Sequence, residues 1–166
     1  KQKEDSQNSE DSFEKEGYAH FMLKEISEQP KAVKDTLDSL ISLGGVWLPH
    51  VSIDEDFFSE ILEKIVIVAC GSAYHTGLVA KHIIEKLSDL PCTVEIASEF
   101  RYSQPFINEK TLAIFVSQSG ETADTLAGLR LAKRCGAQIL SIVNVRDSVI
   151  ARESENVIFT CAGREI

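Results

Sequence analysis

The 166-residue chain carries 26 acidic against 17 basic side chains, a net charge of −9, which argues against gripping nucleic acid or an anionic membrane as its main task. A chain of this length holds one ordinary domain, expected here with a tail. No apolar run approaches the roughly 18 residues that span a bilayer, and the polar amino terminus lacks the layout of a signal peptide, so a soluble, cytoplasmic protein is expected.

Residues 1–16, KQKEDSQNSEDSFEKE, hold six acids, three lysines and one aromatic. Such a segment buries too little to offset the entropy of ordering it. Residues 1–17 are therefore expected to form a disordered tail or linker, and 18–166 a single domain with N-terminal helices. From Tyr18 the pattern turns helical, with Phe21, Met22, Glu25 and Ile26 in a partly apolar stripe that Pro30 is expected to end. KAVKDTLDSLIS, residues 31–42, reads as a second helix stopped by Gly44 and Gly45. After a loop through Pro49, a short acidic helix is expected from Asp54, a good N-cap, to Leu62.

From Ile65 short apolar runs alternate with helical ones. The runs are IVIVAC (65–70), CTVEIA (92–97), TLAIFVS (111–117), QILSIVN (138–144) and NVIFTC (156–161). Continuous rather than alternating apolar strands are strands covered on both faces, and intervening helices imply right-handed parallel crossovers. The expected fold is a three-layer αβα sandwich on a five-stranded parallel sheet, in flavodoxin-like order 2-1-3-4-5.

In that order a ligand sits outside the carboxyl ends of the first and third strands, where strand order reverses. The first strand runs into Cys70, Gly71, Ser72 and Ala73, and the third into Ser117, Gln118, Ser119, Gly120, Glu121 and Thr122. Both corners combine glycine, hydroxyls and a helix start whose first amides lack intrahelical partners. Hydroxyls, amides and a helix dipole bind a phosphate without a lysine. A Walker loop, a Gly-x-Gly-x-x-Gly fingerprint and a nucleophile elbow are all absent, so a nucleotide is disfavoured. The competing reading is structural: Ser72 and Thr122 as ordinary helix caps.

Cys70, Cys92, Cys135 and Cys161 show no zinc or redox spacing and read as free thiols. His75 and His82, seven residues apart on one helix, lack a third ligand. No metal and no cofactor are expected.

SQSGETADTLAGLRLAK (117–133), ACGSAYHTG (69–77), CTVEIASEFRY (92–102) and HFMLKEISEQPKAV (20–33) resemble the sugar isomerase (SIS) domains, specifically the first SIS domain of the glucosamine-6-phosphate synthases (glutamine:fructose-6-phosphate aminotransferases). The resemblance runs from Tyr18 to Ile166. It implies that Ser117, Gln118, Ser119 and Thr122 hold the phosphate and hydroxyls of fructose 6-phosphate or glucosamine 6-phosphate, with Gly71 and Ser72 lining the sugar and Cys70 beside it. Ser72 stands where threonine is frequent in the family and Ala73 where serine is, which implies weaker hydrogen bonding at the first corner.

The resemblance also implies a homodimer, and that the catalytic base, Schiff-base lysine and ring-opening histidine come from a second SIS domain and a carboxyl-terminal tail. The glutaminase half would begin with a cysteine, whereas this chain begins with Lys1. A fragment that binds but does not turn over is expected, with no catalytic residue of its own. Of the titratable groups near the corners, Glu121 reads as solvated and structural, Glu99 as the ion-pair partner of Arg101, and His75 as facing sheet or solvent. A regulatory sugar-phosphate sensor and a self-association module are the alternatives.

Overall fold

A computed structural model of the chain describes residues 15–42 and 44–163; the expected tail residues 1–14 lie outside the described residues. The chain divides into two compact units, one built from the segments up to Trp47 and from Thr160 onward, the other spanning Leu48–Phe159. No helix among the described residues is long and apolar enough to cross a membrane.

The first unit contains one long helix, α1 (Phe21–Leu40), and a short antiparallel pair, β1 (Ile41–Ser42) with β2 (Gly45–Val46). Two expected helices are thus one, because Pro30 lies inside α1 rather than ending it. Proline removes the amide that would bond the carbonyl of Ile26. Pro30 and Ile26 are both exposed, so the missing donor leaves no buried carbonyl, and beyond the proline Lys31 pairs with Asp35 and Lys34 with Asp38 one turn on. Nor do Gly44 and Gly45 stop the helix. Ile41 is already extended, at φ −119° and ψ 129°, and Gly45, at φ +118°, reverses the chain into β2. The only buried side chain of α1 is Lys24, whose Nζ lies 2.9 Å from Glu16.

In the second unit a helical turn begins after Asp54 and widens into a π-helical stretch at Phe57–Ile61, where the Leu62 amide reaches back five residues to Phe57. The elements that follow are β3 (Lys64–Ala69), α2 (Gly71–Ser88), β4 (Cys92–Ile96), α3 (Ala97–Phe100), β5 (Thr111–Ser117), α4 (Ala123–Arg134), β6 (Gln138–Val143), α5 (Val149–Glu153) and β7 (Val157–Phe159). The sheet is parallel throughout, in order β4-β3-β5-β6-β7. That is the expected 2-1-3-4-5.

Alternation along the strands splits the core in two. Ile65, Ile67, Leu112 and Ile114 pack with Phe57, Cys92 and residues of α2 such as Ala80 and Ile84. Val66, Val68, Ala113 and Phe115 turn to the other face, against Phe100, Leu129, Ala132 and Ile150. Each fully buried aliphatic or aromatic side chain contributes about 1.5–3 kcal/mol relative to exposure. Gly77 lets α2 lie close to the sheet, since a Cβ there would meet Val94 Cγ1 at 2.9 Å. On the opposite layer Gly128 makes room for Phe100 in the same way, at 3.1 Å. These two layers fix the height at which α2 and α4 begin, and so the geometry of the corners above them.

Candidate functional site

β3 and β5 are hydrogen-bonded neighbours in register, Ala69 beside Val116. Cys70 and Ser117 therefore leave the sheet side by side, and the corners at 70–73 and 117–122 share one rim of the molecule. They are also joined directly: the Thr125 hydroxyl, fully buried, donates to Cys70 Sγ at 3.9 Å. Thr125 was missed in the sequence reading, although its place one turn beyond Thr122 puts it on the same side of α4.

At the first corner Cys70 is the extended N-cap residue of α2, and Gly71 opens the helix at φ +55°, a backbone region that favours glycine. Cys70 is half-buried, while Gly71 and Ser72 are exposed. Ser72 lies one residue into the helix and does not cap it; no side chain caps this end.

The second corner is an interlocked set of hydroxyls. Ser117, at 4% exposure, accepts a hydrogen bond from the Gly120 amide at 3.1 Å and shares a second, also 3.1 Å, with the Thr122 hydroxyl. Ser119 accepts from the Glu121 amide at 3.2 Å. The amides of Gly120 and Glu121 are thus engaged by serine oxygens. Thr122 is the N-cap residue of α4, yet its side chain makes no capping bond; its hydroxyl goes to Ser117 instead. Neither Ser72 nor Thr122 therefore plays the ordinary capping part that the structural reading gave it. Gln118 is exposed, and its carbonyl accepts from the Asn144 amide at 3.1 Å.

Arg101 does not pair with Glu99, as expected, but with Asp124 in the first turn of α4, Nη1 to Oδ1 at 2.5 Å. The reversal at α3 carries Arg101 past Glu99 and onto α4. This hydrogen bond pushes the guanidinium further above its ordinary pKa. Glu121 is exposed and its carboxylate accepts from the Val149 amide at 2.8 Å, at the start of α5. His75 is exposed, its ring edge-on to Tyr74. Among the described residues no cluster of three or more His, Cys, Asp or Glu side chains is arranged for a metal.

A separate cleft of about 390 Å³ lies between the 49–52 segment and α5–β7, lined by His50, Ser52, Glu155 and Phe159 among others. None of the seven candidate residues lines it. Between Ser52 and the sheet, the buried Asn156 amide bridges the Ser52 amide and the Ile139 carbonyl.

Residues 62–166 match the model of the SIS domain. The chain is 55% identical over 157 residues to glutamine–fructose-6-phosphate aminotransferase (isomerizing) of Clostridium tetani, covering 94% of this chain and 26% of that protein. It is 50% identical to the enzyme of the same name from Mycobacterium leprae, covering 92% and 24%. Among solved structures, the C-terminal domain of glucosamine-fructose-6-phosphate aminotransferase from Francisella tularensis superposes with a TM-score of 0.80 at 44% identity, over 92% of this chain and 42% of that one. The chain spans about a quarter of the length of the curated relatives it matches. With its parallel sheet in 2-1-3-4-5 order, two adjoining hydroxyl-rich corners and a family match over 62–166, the chain belongs to the SIS domain family.

Proposed function

We propose that the chain binds a hexose 6-phosphate, fructose 6-phosphate or glucosamine 6-phosphate, as the first SIS domain of the isomerase half of a glucosamine-6-phosphate synthase. The observation that carries this reading is the adjacency of the two corners, in register at Ala69 and Val116 and tied by Thr125 to Cys70. In this assignment Ser117, Gln118, Ser119 and Thr122 hold the phosphate, and Cys70, Gly71 and Ser72 line the sugar. Several hydrogen bonds to a dianion, each contributing about 1.5–3 kcal/mol, suffice for micromolar affinity without a lysine. Residues 18–166 act as the binding module and 1–17 as a linker.

Moving a proton between C1 and C2 of the sugar needs a positioned base. Glu121 is engaged with Val149, Asp124 with Arg101, and Glu99 and His75 stand exposed. Turnover is therefore assigned to groups beyond these two corners, in a second SIS domain, with ammonia from a glutaminase domain and the whole working as a cytoplasmic homodimer. A calorimetric titration of the purified chain with fructose 6-phosphate, glucosamine 6-phosphate and fructose tests the reading. Saturable binding of both phosphorylated sugars and none of fructose is expected; equal affinity for fructose and its phosphate would refute a phosphate-centred site.

A further inference from the structure

The second corner is fastened to the residue that follows β6 and to the first turn of α5. The Gln118 carbonyl accepts from the Asn144 amide at 3.1 Å, the Gly120 carbonyl from the Ile150 amide at 3.0 Å, and the Glu121 carboxylate from the Val149 amide at 2.8 Å. Two of these three bonds are backbone to backbone. Glu121 supplies the one that depends on a side chain, 28 residues away in sequence. An acid in a loop that is to receive a dianion would ordinarily oppose binding through like-charge repulsion. Here its carboxylate is bonded to an amide of α5, and its own amide is what fixes Ser119 Oγ.

We infer that Glu121 is a positioning residue for the phosphate-binding corner: by tying its carboxylate to the Val149 amide it holds the backbone that sets Ser119 and Thr122, without touching the ligand. The inference rests on the proposed sugar-phosphate site for its functional half. What the role needs is an acceptor oxygen rather than a charge. Glutamine keeps that oxygen and alanine does not.

The test compares Glu121→Ala and Glu121→Gln in the full 166-residue chain, by amide hydrogen exchange without ligand and by titration with fructose 6-phosphate. The alanine variant is expected to speed exchange at Gly120, Glu121 and Val149 and to weaken binding roughly tenfold, about the effect of one lost hydrogen bond. The glutamine variant is expected to match wild type in exchange and to bind as well or better, since it removes a negative charge. Unchanged exchange in the alanine variant, or a glutamine variant as impaired as alanine, overturns the inference. Should the wild-type chain fail to bind fructose 6-phosphate, the functional reading falls, while the exchange comparison still decides whether Glu121 orders the corner.

Discussion

Thr125 Oγ1 donates to Cys70 Sγ at 3.9 Å, linking the first turn of α4 to the end of β3 across 55 positions of sequence. The contact puts a thiol at the junction of the two corners, where bound sugar would cover it. Cys92, at the opposite end of the sheet beside Ile65, is 1% exposed, and burial pushes its pKa up.

Iodoacetamide should therefore alkylate Cys70 well before Cys92, because only the thiolate reacts and, of these two, Cys70 is the reachable one. Fructose 6-phosphate at ten times its Kd should slow the Cys70 reaction roughly tenfold by occupancy alone. Mass spectrometry of tryptic peptides reads both rates. Cys70 labelling indifferent to saturating ligand would place the sugar elsewhere.

Ser119 and Thr122 are half-buried hydroxyls of the proposed site, the first accepting from the Glu121 amide and the second sharing a hydrogen bond with Ser117. Replacing both by alanine should weaken fructose 6-phosphate binding by about 150-fold or more, from two lost hydrogen bonds to a charged group. The fold should survive, since neither side chain is in the core. Calorimetry alongside circular dichroism separates the two effects.

Gly120 has φ +66°, and a Cβ on it would lie 2.0 Å from Ser148 Oγ and 2.4 Å from Ser148 Cβ. Gly120→Ala should destabilise the chain by roughly 2 kcal/mol or more, through backbone strain and the overlap together. Ser148 is itself the buried N-cap of α5, accepting from the Ala151 amide at 3.4 Å. Adding Ser148→Gly should recover only part of the loss, because relieving the overlap leaves the strain and costs the cap. Denaturant unfolding of the single and double variants measures this.

Arg130 holds both carboxylate oxygens of Glu153, joining α4 to α5. That hydrogen bond holds the Glu153 carboxyl below the ordinary glutamate pKa. A group with a depressed folded pKa contributes stability that is present above its unfolded pKa and lost as pH falls through the folded one. The contribution of so exposed a pair is small. Arg130→Gln should raise the Glu153 pKa toward its ordinary value in a carbon-detected NMR titration and flatten the acid limb of stability; an unchanged titration would show the pair to be transient.

The five strands were legible because a parallel sheet covered on both faces leaves uninterrupted apolar runs, as in Ile65–Ala69 and Leu112–Val116, whereas their order came from the flavodoxin-like doubly wound pattern and not from the runs. The adjacency of the corners follows from that order. What stayed hidden are contacts that no local pattern encodes: Thr125 to Cys70, Arg101 to Asp124 rather than to Glu99, Glu121 to Val149, and Ser148 against Gly120. Pro30 misled for a different reason. Its helix-breaking tendency comes from one lost hydrogen bond and a clash with the preceding turn, and at Pro30 both fall on an exposed stretch of helix, where no buried carbonyl is left without a partner. The hairpin at 41–46 escaped notice because each of its strands is only two residues long.

The central claim is that the two corners grip one phosphorylated sugar together. Amide chemical-shift mapping with fructose 6-phosphate tests it most directly. Concerted, saturable shifts at Gly71–Ala73 and at Ser117–Asp124 with a common Kd are expected. Shifts confined to one corner, or centred on the cleft around His50, Ser52 and Phe159, would contradict it.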